Sequence, residues 1–233
     1  MASGSAIVEA DAGALARRAA GWLVARMTAS QGAFRLALSG GETPRLLYRL
    51  LAEDPLRGRI PWSRLELYWG DERFVPWSSP DSNYNRAREE WLSRVDAPAG
   101  SIHPIPTDTT PDDCAARYET TLRARAKDAP CLFELVLLGL GADGHTASLL
   151  PGQPVLEERA RLVAAVPRGR EEPRITLTYP ALESSAAVAF LVTGAAKRDV
   201  VARARRGDES LPAGRLRPRG ETVWFLDEAA AGA

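Results

Sequence analysis

The sequence predicts an α/β fold, a mainly parallel sheet flanked by helices, in a single domain over residues 1–233. Two patterns carry that class. Short apolar runs of strand length alternate with longer stretches of helical period, the order that builds parallel sheets from crossover units. Several of these runs end in a polar, glycine-bearing loop before a helix begins, and in parallel sheets ligands gather at such loops, beyond the carboxyl ends of the strands. No internal repeat, low-complexity block or Pro/Gly linker divides the chain, and 45% apolar with 26% charged residues is ordinary globular composition.

Leu15, Ala19, Trp22, Leu23 and Arg26 fall at helical spacing among alanines, so residues 11–28 read as the first helix. FRLAL at 34–38 is a strand, broken by Ser39, Gly40 and Gly41. Pro44 then sits near the first turn of a helix reaching about residue 53. LELYW at 65–69 is a strand ending in GDER, and Asp81 or Ser82 caps a helix that runs to Trp91. Residues 96–111 hold four prolines and read as a connection across the sheet edge. FELVLL at 133–138 ends in GLGADGH, followed by a short helical stretch that Pro151 closes; residues 162–166 are strand-like, and RITLT follows Pro173. AVAFLV at 187–192 ends in Thr193-Gly194 before a helix from about 195 to 206, VWFL at 223–226 is the last strand, and the tail from Asp227 to Ala233 is expected to fray.

Thirty basic side chains cancel thirty acidic ones, so no net field draws nucleic acid or an anionic membrane. Charge-free stretches reach 13 residues, as at 184–196, short of the roughly 20 that a membrane helix needs. The N-terminus has acids at Glu9 and Asp11 before any arginine and no secretory pattern, so a cytoplasmic location is expected. Cys114 and Cys131 lack close Cys or His partners and read as plain thiols rather than a zinc or redox site. The basic set is lopsided, with only two lysines, Lys127 and Lys197, beside 28 arginines; histidines also number two, His103 and His145.

Ser39-Gly40-Gly41-Glu42-Thr43-Pro44 offers open backbone amides, two hydroxyls and a helix N-terminus, which suit a phosphate or merely make a tight turn. Gly139, Gly141 and Gly144 match the G-x-G-x-x-G dinucleotide pattern, but no long helix and no acid closing the next strand accompany them, so that match is set aside. In the same loop Asp143 and His145 leave a strand end two residues apart. An unperturbed imidazole titrates at roughly pH 6.5, which makes His145 a natural general base, or else a histidine that only bonds to backbone. His103, between Ile102 and Pro104, takes the second reading. Gly70-Asp71-Glu72-Arg73 packs two acids against a guanidinium able to hold a carboxylate, phosphate or developing oxyanion. Lys197 in the first turn of a helix opposes the helix dipole at a cost of about 0.3 to 1 kcal/mol, which suggests that an ammonium is wanted there. Arg174 is a second anion ligand or a strand-edge arginine. Serine-hydrolase elbow, zincin helix and Walker loop are absent from the sequence, and its acids fall in no metal-ligand spacing.

LSGGETP, GDERFVP with PDSNYN, GLGADGHTASLLPG, RITLT and VTGAAK, in this order, resemble the motif set of the 6-phosphogluconolactonases across residues 33–197. Glucosamine-6-phosphate deaminases share the SGG, DGH and GxxK features. They differ in carrying Asp-Glu-Tyr where this chain has Asp71-Glu72-Arg73, and a glutamate after the DGH loop where it has Ser148-Leu149-Leu150-Pro151. The resemblance implies a Rossmann-like fold and hydrolysis of 6-phospho-D-glucono-1,5-lactone to 6-phosphogluconate, with no metal or nucleotide cofactor. It assigns His145 as the base that activates water, Arg73 to the carbonyl or ring oxygens, and Asp143 to orienting the histidine. Ser39, Gly40, Gly41, Thr43, Arg174 and Lys197 would hold the 6-phosphate. The expected partner is a small sugar-phosphate lactone, without nucleic acid or membrane, for a monomer or small homo-oligomer. The competing readings are a deaminase or isomerase on the same scaffold, a dehydrogenase, and a non-catalytic sugar-phosphate sensor. A sensor is expected to carry an attached module, which the sequence does not display before Asp11 or after Leu226.

Overall fold

A computed structural model describes residues 4–127 and 129–232. The chain runs β1 (Ser5–Glu9), α1 (Ala12–Ala29), β2 (Phe34–Leu38), α2 (Glu42–Leu51), β3 (Leu65–Trp69), β4 (Asp71–Arg73), α3 (Asn83–Glu90), α4 (Pro111–Arg125) and β5 (Leu135–Leu138). It continues through β6 (Val163–Val166), β7 (Arg174–Leu177), α5 (Tyr179–Glu183), β8 (Ala187–Val192), α6 (Arg198–Arg205), α7 (Pro212–Arg215), β9 (Glu221–Asp227) and α8 (Glu228–Ala231).

Six strands pair in parallel in the order β1-β9-β8-β5-β2-β3. β2, β5 and β8 are buried along their whole length, as befits unbroken apolar strands covered on both faces. From β2 the chain steps outward to β3, and from β5 it steps the other way through β8 to β9. The order therefore reverses between β2 and β5, where the loops from Ser39 and from Gly139 leave the sheet side by side. That switch point is where parallel sheets bind ligands. Among the described residues no helix is long and apolar enough to cross a membrane.

The mainly parallel α/β architecture matches the expectation, and several local readings change. GDER is not a loop: Gly70 turns the chain, and Asp71–Arg73 becomes β4 in a second, antiparallel sheet of order β4-β7-β6. Gly70 joins the two sheets, its amide donating to Leu38 O and its carbonyl accepting from Leu177 N, both at 2.8 Å. The stretch after DGH is not helical; Thr146 and Leu149 form a bridge, and Ala147 takes φ +48°, which a right-handed helix does not allow. The tail is not frayed up to Gly232. Asp227 caps α8 by accepting from Ala230 N at 2.8 Å, and Ala230 is buried; Ala233 lies outside the described residues. The expected helix at 195–206 divides into a single 3-10 turn at Ala195–Lys197 and then α6. The proline-rich connection does follow the sheet edge, with Ile102 bridging Leu67 of edge strand β3.

Candidate active site

Each loop at the switch point is shaped by a contact that its sequence dictates. Tyr48 on α2 clamps the first loop, receiving a hydrogen bond from Ser39 N at 3.1 Å and donating to Ser39 O at 2.7 Å. Asn83, at the start of α3, lies so near Gly40 that a Cβ there would sit 2.1 Å from its Oδ1, so only glycine fits. α3 is itself held by Glu72. This buried carboxylate accepts from Asn83 N, Tyr84 N, Arg73 N and the Ser82 hydroxyl at 2.7 to 2.9 Å. Burial pushes the Glu72 carboxyl up, against the pull of those four donors. GDER and PDSNYN are thus one device: a strand acid capping the next helix, with Ser82 as the N-cap residue.

The DGH loop presents its two titratable groups as a pair. Asp143 Oδ1 lies 2.5 Å from His145 Nδ1 and also accepts from His145 N at 3.2 Å. Burial alone would raise the Asp143 carboxyl, but hydrogen bonds from Arg170 and His145 hold it well below the usual carboxylate range. An ionised carboxylate only accepts, so the imidazole contributes an Nδ1–H, and the neutral ring of that tautomer has its Nε2 lone pair available for a proton. Gly141 is fixed by this pair: a Cβ there would stand 2.0 Å from His145 Nδ1 and 2.5 Å from Asp143 Oδ1. The glycine that mimics a dinucleotide motif makes room for the histidine instead. Ser148, three residues on, ties the loop to the small sheet by donating its hydroxyl to Asp71 Oδ2 at 2.6 Å and its backbone N–H to Thr176 Oγ1 at 3.1 Å.

These loops enclose a cleft of about 270 Å³. Ser39, Gly40 and Gly41 form one wall, Gly139 to Gly141 with His145 another, and Arg73, Arg174 and Lys197 bring positive charge. Arg73 and Arg174 stand directly opposite each other in the β4–β7 ladder. Like charges so placed repel, typically by a few tenths to about 1 kcal/mol, unless an anion lies between them. Burial and then Arg73 push the Arg174 guanidinium down, only partly offset by Asp71, and its Nε is buried without a partner. Burial also lowers the Lys197 ammonium, which donates to Leu140 O at 2.8 Å. The turn carrying Lys197 is anchored from the chain end, where Asp227 accepts from Gly194 N at 3.0 Å.

Of the residues singled out in the sequence, Ser39, Gly40, Gly41, Arg73, His145, Arg174 and Lys197 line the cleft. Asp143 stands behind His145 rather than in the wall. Thr43 does not line it; its hydroxyl pairs with Thr193 Oγ1 at 2.9 Å. The Ser39 amide is taken by Tyr48, whereas the Gly40 and Gly41 amides donate to no acceptor among the described residues. The sequence offers no separate signal for Asp71, which lines the cleft, or for Asn83, which falls at the start of the helix that Ser82 caps. Asn83 Nδ2 donates to Asp71 O at 2.9 Å while its buried Oδ1 has no partner. His103 makes no ring hydrogen bond through its buried Nε2 and stacks on Tyr68 at 4.8 Å. Among the described residues no group of three or more His, Cys, Asp or Glu is placed to hold a metal ion.

Fold and site together define an α/β protein with a cationic cleft and an Asp–His pair at the switch point of a parallel sheet. The chain belongs to the glucosamine-6-phosphate isomerase/6-phosphogluconolactonase family, whose model matches residues 10–224. It is 44% identical over 210 residues to the 6-phosphogluconolactonase of Nostoc sp. (strain PCC 7120), covering 87% of this chain and 85% of that one. It is 36% identical to the 6-phosphogluconolactonase of Haemophilus influenzae, with 84% and 85% covered. Among solved structures, the 6-phosphogluconolactonase of Trypanosoma brucei superposes with a TM-score of 0.84 at 30% identity over 98% of both chains. A monomeric glucosamine-6-phosphate deaminase at 19% identity and TM-score 0.82 shares the fold.

Proposed function

We propose that this chain is a hydrolase that opens 6-phospho-D-glucono-1,5-lactone to 6-phosphogluconate, with His145 as general base. The observation that carries this reading is the Asp143–His145 pair facing a cleft that also holds Arg73 and Arg174. Relatives at 44% and 36% identity bear the lactonase name, which supports the same substrate here.

A δ-lactone is an activated ester, so the protein must supply a deprotonated water, a place for the oxyanion and a hold on the remote phosphate. Nε2 of His145 takes a proton from water as the water oxygen bonds to C1. The carbonyl electrons move to the oxygen, and the Arg73 guanidinium offsets that charge. Collapse of the tetrahedral intermediate breaks the bond from C1 to the ring oxygen, and the imidazolium returns its proton to that oxygen. Product is the open acid, ionised at neutral pH. The 6-phosphate rests on the Gly40 and Gly41 amides with Arg174 and Lys197 as counter-charges; Ser39 contributes its hydroxyl, and Thr43 supports the loop through Thr193. We place the reaction in the cytoplasm.

Acid release from freshly prepared 6-phosphogluconolactone, followed by pH-stat against the spontaneous rate, tests the function. The expected result is strong acceleration, with a much weaker effect on the unphosphorylated lactone. No rate above background, or release of ammonia from glucosamine 6-phosphate instead, overturns it.

A further inference from the structure

The loop between β6 and β7, residues 167–173, brings a further guanidinium to the Asp–His pair. Arg170 Nη2 donates to Asp143 Oδ2 at 2.8 Å and lies 3.3 Å from His145 Nδ1. The loop is held close: Gly169, at φ +98°, lies against Leu150 and Gln153, and Arg170 Nη1 donates to Gly169 O at 2.9 Å.

Each oxygen of Asp143 is therefore committed to a different group, Oδ1 to the imidazole and Oδ2 to the guanidinium. A carboxylate with one anchor can turn about its Cβ–Cγ bond, whereas the second anchor fixes which oxygen faces Nδ1. The same guanidinium stands beside a ring that becomes cationic when it accepts a proton, and a neighbouring like charge disfavours that state. Asp143 steadies the imidazolium and Arg170 limits how firmly it is held.

We propose that Arg170 is a positioning residue for the hydrolytic step: it fixes the Asp143 carboxylate against His145 and, by its charge, hastens return of the proton from the imidazole to the departing ring oxygen. The proposal rests on His145 being the base. The other charged groups around the ring are Asp143 on its own loop, Lys197 from the turn after β8, Asp71 and Arg73 of β4, and Arg174 at the start of β7. All remain when Arg170 alone is changed, so the comparison isolates the guanidinium.

The chain has only two histidines, so imidazole NMR resolves His145, with His145→Ala identifying its signal. In Arg170→Gln the titration midpoint of His145 moves to higher pH, and in Arg170→Lys it returns toward the wild-type value. In parallel, Arg170→Gln lowers kcat about tenfold, the order expected when a catalytic group is slightly misplaced, with KM within about twofold. An unmoved midpoint overturns the proposal, as does a raised KM with unchanged kcat, which would make Arg170 a substrate ligand. Full activity in His145→Ala would defeat the base assignment instead, while the NMR midpoint still reports on Arg170 and the ring.

Discussion

At the residue scale the site depends on close approach. A methyl group on residue 141 would occupy the space of His145 Nδ1, and the ring, partly open to solvent, would swing away rather than unfold the chain. Gly141→Ala should therefore lower kcat at least tenfold while leaving thermal unfolding within a few degrees, as compared by steady-state assay and calorimetry. Lys197→Met should raise KM for the phosphorylated lactone about tenfold and spare the unphosphorylated one, because it supplies remote binding; equal losses on both would make the lysine structural. Asp143 and His145 were legible in the sequence because they share one loop and need only a strand end to project them. Arg170 was not, since it lies 25 residues from His145 and carries no motif. A hydroxyl near a helix start suits an anion or a neighbouring side chain equally well, and that of Thr43 pairs with Thr193.

At the element scale, the sheet is pinned below the site by a charge pair in its core. Arg35 of β2 is 5% exposed, and it bonds Glu134 through Nε at 3.1 Å, Nη2 at 2.6 Å and its backbone N–H at 2.6 Å. Glu134→Ala would leave that guanidinium buried and unpaired, at a cost of about 3 kcal/mol, so denaturant unfolding should detect it readily while kcat stays near wild type. The long apolar strands were legible because burial on both faces leaves an unbroken apolar run. β4 was hidden because three residues show no period, and its acids, read as loop residues, cap α3 and meet Ser148. α4 was missed although Thr110, Pro111, Asp112 and Asp113 form a start signal: the threonine accepts from Asp113 N at 3.2 Å, with proline and acids in the first turn. β1 is an edge strand with exposed residues, so its pattern carries little apolar signal.

For the whole molecule, the cleft forms where the small antiparallel sheet meets the switch point of the large one, and ion pairs between helices hold its walls. Glu90 of α3 receives Arg45 and Arg49 of α2 at 2.5 to 3.0 Å, and chiefly the Arg49 hydrogen bond lowers its carboxyl to about 2. Glu158 is likewise lowered to about 2, first by backbone amides of Arg161 and Ala160. A carboxyl depressed in the folded state adds stability that is complete above its unfolded value, about 4.5, and disappears as pH falls through about 2. Urea midpoints should thus fall across that window, and Glu90→Gln should flatten part of the fall; an unchanged slope would mean that the pairs add nothing in solution.

All of this architecture converges on one imidazole. The most direct measurement is the turnover of freshly made 6-phosphogluconolactone by His145→Ala, corrected for spontaneous hydrolysis, in protein whose circular dichroism matches wild type. A loss of about two orders of magnitude or more is expected for removal of a general base. Turnover near the wild-type rate would contradict the role of the Asp143–His145 pair.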